Sequence, residues 1–489
     1  MISLLSTNSL FEQIITTANN LIWSNALIIL CLGVGLYFSF RTRFLQVRLI
    51  KGMIGQLFAE SSSEKGVSPF QAFSIAIAGR VGTGNIAGVA TAIAMGGPGA
   101  VFWMWLIAFL GSATAFVEAV LGQIYKEEKN GHFRGGPAFY IEKGIGKKWY
   151  AITFAIATIV ACAVFLPGVQ SNSIAGSMES AFGFDKLWVG VGMVLLLIII
   201  IVGDVKRIGK FSEWVVPFMA GAYILMALVI IGMNYDQIPG VLKLIFTSAF
   251  GMDATFGGIL GSAIAWGVKR GIYSNEAGQG TAPHAAAAAA TTHPAKQGIL
   301  QAFSVYIDTL FVCTATAFII LFTGQYNVKD GNGGHLVHNL PGIEEGPLFT
   351  QAAISTHFPA IGHGFVAIAL WFFVFTTVLA YYFMAESNLY YLRHKKMKTW
   401  MLWILRIGFF GSVIYGATTT GGTAWALGDI GVGLMAWLNI IAILILQKKA
   451  LITLKDYEQQ KKEGKDPVFD PVKLGIKNTS EWGAVKEKE

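Results

Sequence analysis

A run of about twenty mostly apolar residues can cross a bilayer as one helix and has few other uses. This chain carries about eleven such runs, near 21–39, 68–95, 99–125, 148–171, 187–203, 212–233, 254–290, 298–324, 362–387, 399–418 and 424–446. The rest of the composition agrees. Of 489 residues, 54% are hydrophobic and 13% charged, about half the charged share of an ordinary soluble chain. Water would not tolerate the surface such a chain must expose, whereas lipid tails accept it. The expected fold class is an all-α membrane protein of about 11 transmembrane helices. Run 254–290 is too long and too rich in glycine for one straight helix and should be broken or tilted.

Charge in the loops sets the orientation. Arg41, Arg43, Arg48 and Lys51 follow the first run, and Lys126, Lys129, Arg134, Lys143, Lys147 and Lys148 the third. Lys206, Arg207 and Lys210 follow the fifth, Lys296 the seventh, and Arg393, Lys395, Lys396 and Lys398 the ninth. With eleven spans all these loops share one side, while the other side holds little beyond Lys186, Lys243 and Lys329. The positive-inside rule then predicts an outside N-terminus and a cytoplasmic C-terminus in a plasma (inner) membrane. The formal charge of +8 is thereby a matter of topology, with no nucleic-acid footprint. Cys31, Cys162 and Cys313 lie far apart in apolar runs and read as small buried hydrophobes. No basic region and cleavage site precede the first run, so a removable signal peptide is not expected.

The expected organisation has four parts. Residues 1–66 hold an extra N-terminal transmembrane helix and an interfacial segment over 44–58. Residues 67–235 and 236–447 form two blocks of five spans, and 448–489 form a polar, mobile cytoplasmic tail. The long loop 326–361 is placed outside, with a short gating helix around Pro347–His357.

Two spans carry polar, glycine-rich interruptions. One reads Ala78, Gly79, Arg80, Val81, Gly82, Thr83, Gly84, Asn85, and the other runs from Gly271 to Pro283 through Ser274, Asn275, Glu276, Gly278 and Gly280. Lipid offers no hydrogen-bond partners to a freed backbone, so spans stay intact unless the break lines a cavity. Each break opens one five-span block, and matching breaks in two halves point to a transport site at the membrane midplane. Freed N–H groups can hold a carboxylate there, and freed carbonyls a cation. Glycines that only allow close helix crossing are the bland alternative, and Gly84 with Gly88 fits it. A dinucleotide-binding turn is excluded, because it needs a preceding strand.

Around these breaks the chain resembles the alanine or glycine:cation symporters. The run from Gly96 to Gly111 through Phe102-Trp103-Met104-Trp105 looks like that family's signature; Gly84 to Ala90 and Ser274 to His284 are also typical of it. The resemblance covers about residues 20–450. It implies a leucine-transporter-like 5+5 inverted repeat and sodium-coupled uptake of alanine or glycine by alternating access. The broken helices would rock against a scaffold of the third, fourth, eighth and ninth core helices. Proton coupling on the same fold is the alternative. Carried over, it implies substrate binding by Thr83, Gly84, Asn85, Phe165, Gln170, Ile272 and Ser274, with Trp371 as a cap on side-chain size. It implies sodium binding by Ala78 and Val81 carbonyls, Phe373, and the Thr376 and Thr377 hydroxyls. Arg80 stands where amino-acid transporters of the wider superfamily carry Asn or Ala, a departure that bears on a second sodium site beside the substrate.

Charges inside the bilayer are costly and need partners or water. Arg80 and Glu276 sit in the two breaks, so an ion pair between them is expected, either a gate or a structural tie, with Glu118 an alternative partner for Arg80. Lys269, Arg270, Asp308 and Arg406 are the other intramembrane charges. The histidines lack metal-ligand spacing, and no nucleophile–base constellation appears. The chain is therefore read as neither an enzyme nor a metalloprotein, needing no cofactor beyond sodium as coupling ion. Its partners would be a small neutral amino acid, sodium and membrane lipids, with no obligate protein partner.

Overall fold

A computed structural model describes residues 2–57, 66–202, 205–393 and 397–482. Lys395, Lys396, the side chain of Lys206 and residues 58, 203 and 483–489 of the segments above lie outside the described residues. The molecule is almost wholly helical. Among the described residues, eight helices are long and apolar enough to cross a membrane: Glu12–Arg41, Gly99–Ile124, Lys148–Phe182, Arg207–Met233, Pro294–Thr323, Gly362–Leu392, Thr399–Thr418 and Gly421–Lys462. The fifth expected run forms the shorter helix Lys186–Ile201, whose first turn is capped by the Asp185 carboxylate.

The two glycine-rich runs are broken. The first opens with a capping box, Ser68 and Gln71 bonding each other's backbone N–H with Pro69 at the first helical position, and runs helical over Pro69–Arg80. It leaves helical geometry at Val81 and resumes as a wide turn over Gly84–Gly88, then Val89–Gly96. The second is helical over Leu260–Asn275 and again over Ala282–Ala288. This break is shorter than the expected 271–283, so Ile272 and Ser274 remain helical. Between the halves Glu276, Gly278 and Gly280 take positive φ of 58°, 89° and 82°, which stops the helix because only glycine enters that region cheaply.

Small residues let the broken spans pack closely. A Cβ on Gly267 would fall 2.5 Å from the Ala100 carbonyl oxygen, and one on Gly271 2.4 Å from Ile107. The helix beginning at Gly99 thus lies flush along the first half of the second broken span. Wide turns, which leave backbone carbonyls less firmly held, also interrupt two continuous spans, over Ala161–Phe165 and Tyr306–Cys313.

The external loop contains the helix Pro347–His357 where the sequence placed it, and also a hairpin of Asn327–Lys329 with His335–His338. The interfacial segment forms helices Leu45–Arg48 and Ile50–Leu57, the latter burying Met53 and packing on helix Pro294–Val305. The expected mobile tail is corrected. The last helix continues to Lys462, and the chain then folds back over residues 463–482. Phe469 packs edge-on against His293, and Trp482 donates to the Gln123 carbonyl at 2.8 Å. Buried apolar anchors in a polar segment, Phe469 and Ile476 among them, outweigh its charge.

Candidate functional site

The first break lies against helix Gly362–Leu392. The Thr377 hydroxyl oxygen is 2.8 Å from the Ala78 carbonyl, 3.2 Å from that of Val81 and 2.8 Å from that of Phe373. A hydroxyl has one proton and can satisfy one of these three acceptors at a time. The Ala78 and Val81 carbonyls therefore compete for one hydroxyl proton, which leaves the cluster short of positive charge. Gly82 is required beside it, since a Cβ there would lie 2.5 Å from the Thr377 Oγ1. Thr376 points elsewhere. Its hydroxyl bonds back to the Phe372 and Phe373 carbonyls and faces the Met219 sulfur. One residue turns a side chain by about 100° around a helix, and of the paired threonines Thr377 alone reaches the Ala78 and Val81 carbonyls.

Next along the break, the Thr83 N–H donates to Gln170 Oε1 at 3.0 Å, while the buried Thr83 hydroxyl has no hydrogen-bond partner. Gln170 also lies beside the hydroxyls of Tyr273 and Tyr381. Asn85 accepts from the Gly82 N–H at 2.8 Å and donates to Asp308 Oδ1 at 2.6 Å. Asp308 Oδ1 also accepts from Ser274 at 3.0 Å. Gly84 abuts Ser274, whose Cα would be 3.1 Å from an added Cβ. Thr83, Gly84, Asn85, Gln170 and Ser274 are thus brought together. Ile272 lies one turn from the break, its carbonyl accepting from Gln279 at 2.5 Å. Phe165 is half-buried with its ring toward Gly431, and Trp371 is half-buried on the helix of Thr377. Neither takes part in the polar contacts of the breaks.

The second break is held by a carboxylate. Glu118 accepts from the Gly278 N–H at 3.1 Å, the Gly280 N–H at 2.9 Å and the Asn439 amide. The expected Arg80–Glu276 ion pair does not form. Arg80 turns toward helix Pro294–Val305, donating to the Asn275 carbonyl at 2.6 Å, to Gln301 and to Ser304. The left-handed turn at Glu276 carries its carboxylate the other way, toward Gly79 and the Thr281 hydroxyl. Arg80 still ties the two breaks, through a carbonyl in place of a charge.

A cavity of about 950 Å³ opens beyond the breaks. Its lining includes Lys269, Arg270, Trp425 and Asp429. Arg270 grips Asp429 with two bonds of 2.9 and 2.8 Å, Lys269 adds a third ionic contact at 2.8 Å, and the guanidinium lies 4.4 Å from the Trp425 ring centre. Tyr273, 5.0 Å from Trp425 between ring centres, stands between this layer and Gly84. Thr83, Gly84, Asn85 and Ser274 do not line the cavity.

The sequence did not single out Asp308, Glu118, Tyr273 or Tyr381 for these roles. Tyr381 lies one turn after Thr377, a spacing that shares a helix face. Glu118 and Asp308 stood out as intramembrane charges, but their partners are distant in sequence.

Apolar spans broken at a buried polar centre, beneath a charged cavity, define a multi-pass membrane transporter rather than an enzyme. The profile of the sodium:alanine symporter family matches residues 8–471, and the chain belongs to that family. YrbD of Bacillus subtilis (strain 168) is 59% identical over 468 residues, 96% of this chain and 97% of that one. The protein of Bacillus sp. (strain PS3) named sodium/proton-dependent alanine carrier protein is 51% identical over 431 residues, 88% of this chain and 97% of its own. Among solved structures, a Na+-coupled sialic acid symporter in a substrate-bound outward-open state matches over 92% of both chains, with a TM-score of 0.50 and 12% identity. That likeness concerns the fold alone.

Proposed function

We propose that the protein imports alanine, glycine or a similar small neutral amino acid by symport with sodium. The observation that carries the sodium reading is the cluster of the Ala78, Val81 and Phe373 carbonyls around the Thr377 hydroxyl. Oxygen-only ligation without a carboxylate suits a hard, singly charged cation. The unpartnered Thr83 hydroxyl and the Gly84 and Asn85 backbone would receive the substrate carboxylate. Gln170, Ile272 and Ser274 would surround its other end, and Phe165 and Trp371 would bound its side chain. Alanine as substrate is supported by the family and by the name of the PS3 relative.

In this reading the spans form two five-helix blocks, 67–235 and 236–447, behind an extra N-terminal helix. The N-terminus and the cavity face outside, and the tail from 448 faces the cytoplasm. Sodium at the first break would favour the state that binds substrate, so each turnover draws on the ion gradient. Arg270 and Asp429 would close the outer path above the bound amino acid.

Uptake into proteoliposomes loaded without sodium tests the proposal. An inward sodium gradient should drive saturable accumulation of alanine, reduced by unlabelled glycine and less by glutamine or leucine. The PS3 relative's name gives proton coupling a footing. If alanine accumulates without sodium under an acid-outside gradient alone, the proton reading replaces this one.

A further inference from the structure

Asp308 is fully buried on the wide turn Tyr306–Cys313, and it forms no ion pair among the described residues. Arg80 acts on it only from beyond ion-pair distance, so this intramembrane carboxylate needs another reason to be there. Its hydrogen bonds supply one. Oδ2 accepts from the neighbouring Thr309 hydroxyl at 2.6 Å. Oδ1 accepts from two residues that belong to different broken spans, Asn85 Nδ2 at 2.6 Å and Ser274 Oγ at 3.0 Å. A single oxygen atom therefore joins the two breaks.

The bond to Asn85 also fixes which way that amide faces. With Nδ2 held by Asp308, the Asn85 Oδ1 accepts the Gly82 N–H at 2.8 Å. Turned over, the amide would set a donor against that N–H and an acceptor against the carboxylate. Asp308 thus acts through Asn85 on the backbone of the first break and through Ser274 on the second. Gly84 packs tightly on Ser274, an added Cβ lying 3.1 Å from the Ser274 Cα, so the spacing of the breaks is set at this point of contact.

We infer that Asp308 is a positioning residue of the substrate site, holding the two breaks at the separation that fits a small amino acid. This rests on the proposed function. It goes further by ranking two effects, since Asp308 bonds Asn85 and Ser274 directly but reaches the Val81 carbonyl only through Asn85 and the Val81–Gly82 peptide. Substrate affinity should depend on Asp308 more strongly than sodium affinity does.

The test compares Asp308→Ala, Asp308→Asn, Ser274→Ala and the Asp308→Ala/Ser274→Ala double variant in proteoliposomes. Sodium-dependent thermal stabilisation of each purified protein is read without alanine. Asp308→Ala should raise the alanine KM about tenfold with Vmax within about twofold. Asp308→Asn keeps an oxygen in place and should bring KM back to within about threefold of the unaltered protein. Ser274→Ala should raise KM by itself but add little to Asp308→Ala, as expected of residues sharing one bond. The sodium concentration giving half stabilisation should shift by less than about threefold throughout. An unchanged KM in Asp308→Ala, or a sodium shift as large as the loss of alanine affinity, would overturn the inference. Should Asp308→Ala not fold, Ser274→Ala and Asp308→Asn decide, and a wild-type KM in Ser274→Ala overturns it. If the unaltered protein shows no sodium-driven alanine uptake, the functional reading itself fails. Normal uptake with insensitive variants counts against Asp308 alone.

Discussion

The two broken spans solve the same problem in opposite ways. Each must leave backbone groups unpaired in a region without water, where every unsatisfied group is costly. At the second break the protein meets freed N–H groups with a fixed anion, the Glu118 carboxylate on Gly278 and Gly280. Three residues there take positive φ, so the turn is locked by backbone geometry as well as by charge. The first break has no such lock. Its carbonyls converge on a hydroxyl with too few protons, and its Thr83 hydroxyl has no partner. The freed N–H groups of one break are met from within, and the freed carbonyls of the other are left to be completed by what binds there.

The sharpest way to break this contrast is to remove the internal anion. Glu118→Ala strands two backbone N–H groups, at about 1–3 kcal/mol for each buried group left unmade, and leaves the Asn439 amide only the Gly278 carbonyl. Little folded protein should be recovered from membranes, judged by size-exclusion chromatography of detergent extracts. Glu118→Gln keeps one acceptor oxygen and should recover part of it. Full recovery of Glu118→Ala would mean that the second break is not held by charge.

A pair of glycine substitutions separates folding from binding. Gly280→Ala forces a side chain into left-handed backbone, at about 1–2 kcal/mol. Its Cβ would also meet Pro137 at 2.6 Å and Phe154 at 2.9 Å. The melting temperature should fall clearly. Gly82 carries no positive φ, and an added Cβ there meets Thr377 Oγ1 and Gln170 Oε1. Gly82→Ala should therefore stay folded yet lose sodium-stabilised binding. Equal loss of stability in both variants would erase the distinction between the breaks.

Much of this arrangement is legible in the sequence, and the reason is local. Apolar runs set the spans, because length and hydropathy alone decide what crosses a bilayer. Glycine clusters marked both breaks, and the external helix lies over the expected Pro347–His357. What escaped was long-range. Glu118 lies 160 residues from Gly278, and nothing in its neighbourhood names that partner. Arg80 and Glu276 carry opposite charge at matching places, but the backbone turn at Glu276 sends them apart. The tail looked mobile by composition, although a few apolar anchors dock it.

The smallest expected effect tests the contrast within one helix turn. Thr376 and Thr377 are adjacent, equally buried and alike in chemistry. Only Thr377 reaches the Ala78 and Val81 carbonyls, while Thr376 bonds back to its own helix, the common fate of a helical threonine. Thr377→Val deletes one oxygen of four and should raise the half-saturating sodium concentration about tenfold, equivalent to about 1.4 kcal/mol. Thr376→Val keeps the shape, removes back-bonds to the Phe372 and Phe373 carbonyls but leaves those of Ala78 and Val81 untouched, and should shift that concentration by less than about twofold. Both are read from alanine uptake against sodium at fixed ionic strength. Comparable shifts in the two variants would place the ion elsewhere than against the first break. A shift confined to Thr377 would tie it to that unsatisfied cluster.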